Sequence, residues 1–213
     1  MKVSKEFITE EARHLITHDE RARQAYEEVV RSITVPVWPP GASSFTIREG
    51  KNENGVVPIK DLCYSQLEDV FNWYREKDLA VLKTEKEKGG PLDVYKEYGH
   101  GEDNLRVGLE FETGNISSAH RSMNKIALGL NRSELDLAMI LLPVHTLAYH
   151  LTDRISNFEE LEPYFELMFG KAFICIGFDA DSISASDTIP YIPKGKDGMS
   201  KRSKKKWKAR DQA

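Results

Sequence analysis

The run from Leu135 to Pro143 constrains the fold of this chain more than any other stretch, because every side chain in it except that of Asp136 is apolar. A strand with one face in water alternates apolar and polar residues, whereas a strand buried on both faces does not. The run therefore predicts a central buried strand. Residues 172–178 form a second run of this kind. Helical patterns lie between the strands, which predicts an α/β fold with a central mixed β-sheet flanked by helices.

Apolar residues at helical spacing predict the helices around this sheet. The predicted helices span about residues 4–31, 58–77, 117–130, 146–151 and 158–169. Two further strands are predicted, a short one at 45–47 and a longer one at 107–113. The longer strand is the one that carries acidic residues.

Charge is distributed unevenly along the chain. The 213 residues have a formal net charge of −4, but residues 194–210 hold nine Lys or Arg and one acid, a net charge of +8 that leaves −12 for the rest. A chain of this length suits one domain. The sequence therefore predicts one domain over residues 1–193 and a basic tail or helix over 194–213. A basic segment on an acidic body is typical of contact with a polyanion such as DNA, although a solubilising tail has the same composition.

The composition argues against several classes of protein. No apolar run approaches the roughly 18 residues of a membrane-spanning helix, and no apolar segment follows the charged N-terminus as in a secretory signal. The two cysteines, Cys63 and Cys175, lie in apolar runs without a CxxC pattern, which is typical of reduced core residues. We therefore expect a cytoplasmic protein that does not associate with a membrane.

Two acidic residues stand out in the predicted strand 107–113. Glu110 and Glu112 alternate with apolar residues, as in a half-buried strand, so their side chains share one face and lie roughly 6–7 Å apart. Two carboxylates at that spacing repel, and a positive partner such as a metal ion would relieve the repulsion. Asp93 precedes the strand by the length of a loop, and Glu76 lies at the C-terminal end of the second predicted helix. A metal site and a solvated polar face are both compatible with this pattern.

A polar face begins the helix that follows this strand. Ser117 is predicted to cap the helix, and Ser117, Arg121 and Asn124 recur at positions i, i+4 and i+7. Polar side chains at a helix N-terminus can read base edges in the major groove of DNA. A capped helix with an exposed arginine would show the same residues.

Longer stretches carry a resemblance to a known family. They are GVVPIK at 55–60, NWYREK at 72–77, KGGP at 88–91, FETGNISSAHRSMNK at 111–125, NFEELEPYFEL at 157–167 and DGMSKRS at 197–203. On these stretches the chain closely resembles type II restriction endonucleases of the PD-(D/E)xK nuclease superfamily, over essentially its whole length. The resemblance is far more specific than the nuclease signature itself, an Asp followed after a gap by Glu-x-Glu.

The resemblance implies an activity and a set of catalytic residues. The expected reaction is Mg²⁺-dependent cleavage of both DNA strands at the palindrome GGATCC, after its first G, with two ions per active site. The implied catalytic residues are Glu76, Asp93, Glu110 and Glu112. Glu76, Asp93, Glu110 and the Phe111 carbonyl would ligate metal. Glu112 stands where most of the superfamily has a lysine, and it would be the general base or would position it.

The resemblance also implies contacts with double-stranded DNA. The implied positions are Asn115, Ser117, Arg121, Asp153, Arg154, Lys194, Gly198 and Met199. The chemistry of the base readers agrees, because arginine forks onto guanine, Asn and Ser bond to A·T edges, and Asp accepts from cytosine N4. A cognate methyltransferase is expected in the same bacterial cell, but not as a physical partner.

A palindromic target implies a two-fold symmetric homodimer. In the family, the helices that match 117–130 and 158–169 pair across the two-fold axis. This chain departs from the family there, because Asn131-Arg132 replaces a Lys-His pair and Phe169 replaces an acid. This departure puts an interfacial ion pair of the family in doubt, and Glu166 with Arg132 could form a substitute.

Three other functions fit part of the sequence. A non-specific metal-dependent nuclease of the same fold would use the same acids without the base readers. A DNA-binding protein without catalysis would leave the acids unused. A glycosidase with paired carboxylates would leave the basic tail unexplained.

Overall fold

The sheet that the apolar runs predict is present in the structure, a computed structural model that describes residues 1–82, 90–99 and 101–194. The strands are β1 (Lys2–Ile8), β2 (Thr46–Arg48), β3 (Tyr74–Lys77), β4 (Leu92–Tyr98), β5 (Leu105–Phe111), β6 (Leu137–Pro143), β7 (Phe173–Asp179) and β8 (Ser182–Ser184). Six of them form one sheet in the order β1-β7-β6-β5-β4-β3, and β2 pairs with β8 in a separate two-stranded sheet.

Helices cover the main sheet. They are α1 (Glu10–His18), α2 (Glu20–Thr34), α3 (Val57–Ser65), α4 (Ile116–Asn131), α5 (His145–His150) and α6 (Phe158–Leu161). The second helix packs against β1 and β5, α4 packs against β6, and α6 packs against β7. This arrangement confirms the predicted α/β class.

Strand directions confirm that the sheet is mixed. The neighbours β5, β6 and β7 run parallel, whereas β1 is antiparallel to β7, and β4 is antiparallel to both β5 and β3. Every residue of β6 is buried, and β7 is buried as far as Phe178. The two apolar runs are therefore the buried strands that the sequence predicts.

The acidic strand is more buried than its alternating pattern predicts. In β5 all residues except Arg106 are buried, including Gly108 on the same face as the acids. Glu110 is 3% exposed and Glu112 is 9% exposed, and Ser122 and Lys125 of α4 contact them. The half-buried strand and the solvated polar face are therefore both wrong, and the acids lie in a partly closed interior.

The predicted helix over residues 4–31 is wrong at its N-terminal end. Residues 2–8 form the edge strand β1, and two helices follow instead of one. Thr9 caps α1, its side chain accepting a hydrogen bond from the Ala12 N–H at 3.4 Å. Asp19 separates the helices and caps α2, accepting from the Arg21 N–H at 2.8 Å. Both are residue types that favour helix N-caps.

The predicted helix over residues 58–77 is also only partly correct. Helix α3 ends at Ser65, a π-helical segment spans Gln66–Val70, and the chain then enters the edge strand β3. Asn72 (φ 57°) and Glu76 (φ 58°) adopt left-handed backbone conformations. Glu76 is therefore on an edge strand, and not at the C-terminal end of a helix as predicted.

Among the remaining elements, the predicted helices 117–130 and 146–151 correspond to α4 and α5 and the predicted strand 45–47 to β2, whereas β4 and β8 were not predicted. The predicted helix 158–169 is α6 followed by a 3₁₀ segment over Glu162–Met168. Cys63 and Cys175 are buried and unpaired, as predicted. No helix within the described part of the chain combines the length and the apolar character needed to cross a membrane.

Candidate active site

A single cavity of about 900 Å³ gathers the four predicted acids. Glu76 comes from β3, Asp93 from β4, Glu110 from β5, and Glu112 from the residues that follow β5. The antiparallel pairing of β3, β4 and β5 brings these segments to the same end of the sheet. Side chains that are far apart in the sequence thus converge on one space.

Asp93 is held by the neighbouring strand rather than by a loop. It lies within β4, whose pairing sets Val94 opposite Leu109. Its Oδ2 accepts a hydrogen bond from the Phe111 N–H at 2.9 Å. The sequence placed Asp93 only by its distance from the acidic strand, and the strand pairing is what fixes it beside Glu110.

The Glu110 carboxylate is buried between a cation and a hydroxyl. Its Oε1 lies 2.8 Å from the Lys125 Nζ, and its Oε2 accepts from the Ser122 hydroxyl at 2.9 Å. Burial raises the pKa of Glu110, and the nearby charge of Asp93 raises it further, whereas Lys125 and Ser122 oppose the rise. The site therefore holds Glu110 with a weakened preference for the charged state.

Glu112 is held at both carboxylate oxygens. Its Oε1 accepts from the Gly114 N–H at 2.6 Å, and its Oε2 accepts from the Ser122 hydroxyl at 3.0 Å. Burial raises the pKa of Glu112, and these two donors oppose the rise. The single hydroxyl proton of Ser122 is shared between Glu110 and Glu112, so the two acids are linked through this residue.

Lys125 is a residue of the site that sequence reasoning missed. It is 8% exposed, and its Nζ also donates to the Pro91 carbonyl at 2.6 Å. The chain itself thus supplies a positive partner for Glu110, where the sequence suggested only a metal ion. Ser118, Ser122 and Lys125 recur at i, i+4 and i+7 and all line the cavity. That polar stripe is the signal that could have revealed Lys125.

Glu76 differs from the other three acids because it is exposed at the rim of the cavity. It lies between the pairs Arg75–Val94 and Lys77–Leu92. Its position along β3 therefore corresponds to that of Asp93 on β4. The left-handed backbone of Glu76 interrupts the regular pairing of the edge strand at this point.

Tyr64 adds a polar atom that lacks a partner. Its hydroxyl is buried and makes no hydrogen bond within the described residues, and the side chain lines the cavity. Burial raises the pKa of Tyr64, and the charge of Asp93 adds to the rise. The Arg75 guanidinium stacks 3.7 Å from the centre of the Tyr64 ring. An unsatisfied buried hydroxyl at a cavity wall is free to bond a ligand or water there.

The donor set suits a hard divalent cation. Carboxylates and a backbone carbonyl supply only oxygen atoms, the ligands that Mg²⁺ prefers. Across residues 1–82, 90–99 and 101–194, no three His, Cys, Asp or Glu side chains converge into a preformed metal cluster. Asp93 nevertheless retains one carboxylate oxygen that is not used by Phe111. The residues therefore fit such a cation chemically without forming a complete cage for it.

The predicted DNA contacts on α4 lie beside this cavity. Asn115, and not Ser117, is the N-cap of α4, and its Oδ1 accepts from the Ser118 N–H at 3.1 Å. The prediction that Ser117 caps the helix is therefore wrong. Asn115, Ser117 and Arg121 are exposed, and Arg121 lines the cavity.

The other predicted contacts that the structure describes do not line the cavity, although Thr152, next to Asp153, does. Asp153 and Arg154 are exposed in the turn after α5, where Arg154 has a left-handed backbone (φ 65°). The Lys194 Nζ lies 3.9 Å from a Glu53 carboxylate oxygen. Gly198 and Met199, with the rest of the basic tail after residue 194, lie outside the residues that the structure describes.

Comparisons with known proteins agree with this geometry. A family model described as restriction endonuclease BamHI matches residues 1–199. The type II restriction enzyme BamHI of Bacillus amyloliquefaciens is 62% identical over 209 residues, which cover 98% of this chain and 97% of that protein. The type II restriction enzyme OkrAI of Oceanobacter kriegii is 37% identical over 180 residues, 82% of this chain and 88% of its own. These matches confirm the resemblance to type II restriction endonucleases.

A solved structure supports the fold independently of close sequence likeness. The crystal structure of the restriction endonuclease BglII complexed with a DNA 16-mer superposes with a TM-score of 0.54 at 11% identity, covering 86% of this chain and 78% of that one. At that identity the likeness bears on the fold alone. The family model and the two relatives decide the family: this chain belongs to the restriction endonuclease BamHI family.

Proposed function

We propose that this restriction endonuclease cleaves both strands of DNA at GGATCC after the first G and leaves 5′-GATC overhangs. The observation that carries the proposal is the convergence of four acids in one cavity beside the start of α4, where the candidate base readers lie. Family membership over residues 1–199 supports the same reaction. A non-specific nuclease would need the acids but not the readers.

Mg²⁺ is the cofactor that suits these donors, with two ions in each active site. Asp93, Glu110, the Phe111 carbonyl and Glu76 would hold it. When bound, the metal supplies positive charge that stabilises the phosphorane-like transition state and the departing 3′ oxygen. Because Glu76 is exposed at the rim, it would contribute to metal binding only after β3 moves or DNA arrives.

Glu112 is the group that would accept the proton of the attacking water. Its raised pKa suits a general base, because a more basic carboxylate takes up a proton more readily. Gly114 and Ser122 hold its two oxygens, so the carboxylate is oriented before the substrate arrives. Lys125 offsets the charge of Glu110, which allows two acids to lie together in a buried site.

Base recognition would come from the two polar segments at the cavity mouth. Asn115, Ser117 and Arg121 would read from α4, and Asp153 and Arg154 from the turn after α5. Side chains of these types pair with base edges in the major groove. Each wrong base pair should cost about 1–3 kcal/mol, so two mismatches remove several orders of magnitude in affinity.

A homodimer would match the symmetry of the palindrome. The segment after α6 presents large exposed apolar side chains, with Tyr164 43% exposed, Leu167 63% and Phe169 64%. The His120 ring on α4 contacts Tyr164 at a centroid distance of 4.4 Å, so α4 and this segment form one continuous surface. An exposed apolar patch of this kind is typical of a protein interface. Glu166 and Arg132, both exposed, would pair across it.

The basic segment 194–213 would contact DNA next to the domain formed by residues 1–193. Its positive charges would neutralise phosphates, so affinity should fall steeply with salt concentration. Lys194, Gly198 and Met199 are the proposed contacts. The setting would be the bacterial cytoplasm, away from membranes, with a methyltransferase protecting the host's own sites.

The direct test is to incubate the protein with plasmid DNA and Mg²⁺ and to sequence the cut ends. Discrete fragments that end in 5′-GATC overhangs are expected. A smear would indicate a non-specific nuclease, and an intact plasmid would indicate a protein without catalysis. Glu112→Ala should abolish cleavage and retain binding in a gel-shift assay. Glu27→Ala, an exposed acid on α2, serves as the matched control and should cleave normally.

A further inference from the structure

We propose that Gly114 and Ser156 connect the turn that carries Asp153 and Arg154 to the Glu112 carboxylate. The position of this turn on DNA would then set the position of the general base. This inference rests on the proposed function, because it assumes that Glu112 is catalytic and that Asp153 and Arg154 read bases. It assigns a positioning role to Gly114, through its backbone N–H and carbonyl, and to Ser156, which bonds to that carbonyl.

Gly114 lies between the two functional groups and bonds to both. Its N–H donates to the Glu112 Oε1 at 2.6 Å. Its carbonyl accepts from the Ser156 N–H at 2.8 Å and from the Ser156 hydroxyl at 3.1 Å. A displacement of Ser156 therefore acts on the Gly114 carbonyl, and rotation of the Gly114 backbone acts on Glu112.

The close approach at Gly114 requires a residue without a side chain. A Cβ at this position would lie 2.7 Å from the Glu112 Oε1, 3.0 Å from the Ser118 Cβ and 3.1 Å from the Ser118 Oγ. Glycine is thus needed for space, which is one of the two reasons for glycine at a functional turn. The Glu112 carboxylate rests directly against this backbone.

The turn after α5 is buried where it bonds to Gly114 and exposed where it would contact DNA. Ser156 is fully buried, and Asn157 is 4% exposed. The Asn157 Oδ1 accepts from the Glu160 N–H at 3.1 Å and so caps α6. Asp153 and Arg154, two to three residues earlier, are exposed. A shift of Asp153 and Arg154 on DNA would therefore reach Ser156, which lies only two residues after Arg154.

Glu112 has a second support that does not depend on this turn. Ser122 on α4 bonds to its other oxygen and also to Glu110. The contact from Ser122 keeps Glu112 beside Glu110, and the contact from Gly114 sets the rotation of the carboxylate. A misplaced turn would therefore rotate Glu112 without removing it from the site. Cleavage would then be lost while binding persisted.

The test is Ser156→Ala, which removes the hydroxyl donor and keeps the backbone one. Single-turnover cleavage by saturating enzyme is measured on GGATCC and on a site with one substituted base pair. The cognate rate should fall roughly three- to tenfold, the effect of one neutral hydrogen bond, and the rate on the substituted site should stay within about twofold. DNA binding in EDTA, followed by fluorescence anisotropy, should not change. Ser32→Ala is the matched control, since Ser32 is fully buried and its hydroxyl bonds to the Glu28 carbonyl at 2.7 Å, remote from the cavity.

Three results would overturn the proposal: an equal loss on both DNAs, no loss on either, or a parallel loss of cognate binding. If Ser156→Ala does not fold, Ser156→Cys retains the volume with a weaker donor and carries the same comparison. A wild-type chain that does not cut GGATCC would refute the proposed function instead, so the two failures are distinguishable.

Discussion

Replacing Lys125 with methionine should lower the free energy of unfolding at neutral pH by about 3–5 kcal/mol, the range found when one partner of a buried ion pair is removed. The contacts justify that range. The Lys125 Nζ lies 2.8 Å from the Glu110 Oε1 and 2.6 Å from the Pro91 carbonyl. The two side chains of the pair are only 9% and 4% exposed, so water screens them little. Methionine fills similar volume, and the loss therefore reports the uncompensated charge of Glu110.

The double variant Lys125→Met/Glu110→Gln should recover most of this stability. Replacing both partners of a buried pair is often close to neutral, and glutamine can still accept from Ser122. Urea denaturation in EDTA gives the free energies of unfolding of the wild type, of Lys125→Met and of the double variant. Lys5→Met is the matched control, because Lys5 pairs with Glu159 at 2.9 Å on the surface and should lose far less.

Added Mg²⁺ provides a second readout of the same reasoning. In Lys125→Met the cation would supply the missing positive charge, so it should stabilise this variant more than the wild type. The reasoning is refuted if Lys125→Met loses no more stability than Lys5→Met. It is also refuted if the double variant is no more stable than the single one.

Three further changes have predicted outcomes. Glu28→Gln should destabilise the fold at neutral pH: burial raises the pKa of Glu28, but bonds from Tyr98 and three other side chains outweigh it and lower the pKa. That stabilisation is present above the unfolded pKa of Glu28 and is lost as the pH falls through its folded pKa. If urea denaturation gives the same difference in unfolding free energy between the wild type and Glu28→Gln in acid as at neutral pH, the reasoning is contradicted. Gly129→Ala should destabilise by about 1–3 kcal/mol despite better helix propensity, because a Cβ would lie 2.9 Å from the Leu135 Cδ1; thermal unfolding that shifts upward would count against the packing argument. Leu167→Glu, at a side chain 63% exposed, should yield monomers in sedimentation velocity and keep the melting temperature, and an unchanged dimer would exclude this face as the interface.

The centre of the fold could be predicted because burial on both faces leaves a continuous trace in the sequence. Leu137–Pro143 is apolar throughout, and so is most of Phe173–Asp179, so the two runs identify the inner strands directly. Edge strands leave no such trace. Four of the seven residues of β1 are exposed, and the other three, Val3, Phe7 and Ile8, are half-buried. Phe7 and Ile8 also fit the apolar face of a helix. Pairing with β7, at the other end of the chain, decides the conformation.

The boundaries within residues 57–77 depend on tertiary contacts in the same way. Apolar residues continue at helical spacing after α3, but the Trp73 Nε1 donates to Glu28 at 2.8 Å and the Lys96 Nζ donates to the Phe71 carbonyl at 2.6 Å. These contacts hold the chain in its turn into β3. Their partners lie on α2 and β4, so no local pattern could have indicated them.

The candidate site was predictable as a set of residues but not as an arrangement. The resemblance indicated the acids: Glu76 and Glu112 lie in matching stretches, and Asp93 and Glu110 lie close beside such stretches. Lys125 was in the longest of these stretches and was still overlooked, because a lysine among apolar residues on a helix is usually an exposed side chain. Its contact with Glu110 depends on the packing of α4 over the end of β5. Gly114 was also in that stretch, and only the approach of Ser156 reveals what it connects.

The position of Glu76 has a consequence for the resting enzyme inside a cell. Glu76 stands exposed at the cavity rim on a left-handed residue of an edge strand, while Asp93 is already bonded to Phe111 within the sheet. Protein ligands thus stand ready on one side of the metal site only, and a phosphate group of DNA would complete the other. On the proposed function, magnesium loading and target engagement would then be one event. Such an enzyme would stay idle amid abundant magnesium until DNA arrived, so host DNA would be guarded first by the incomplete resting site and only then by methylation.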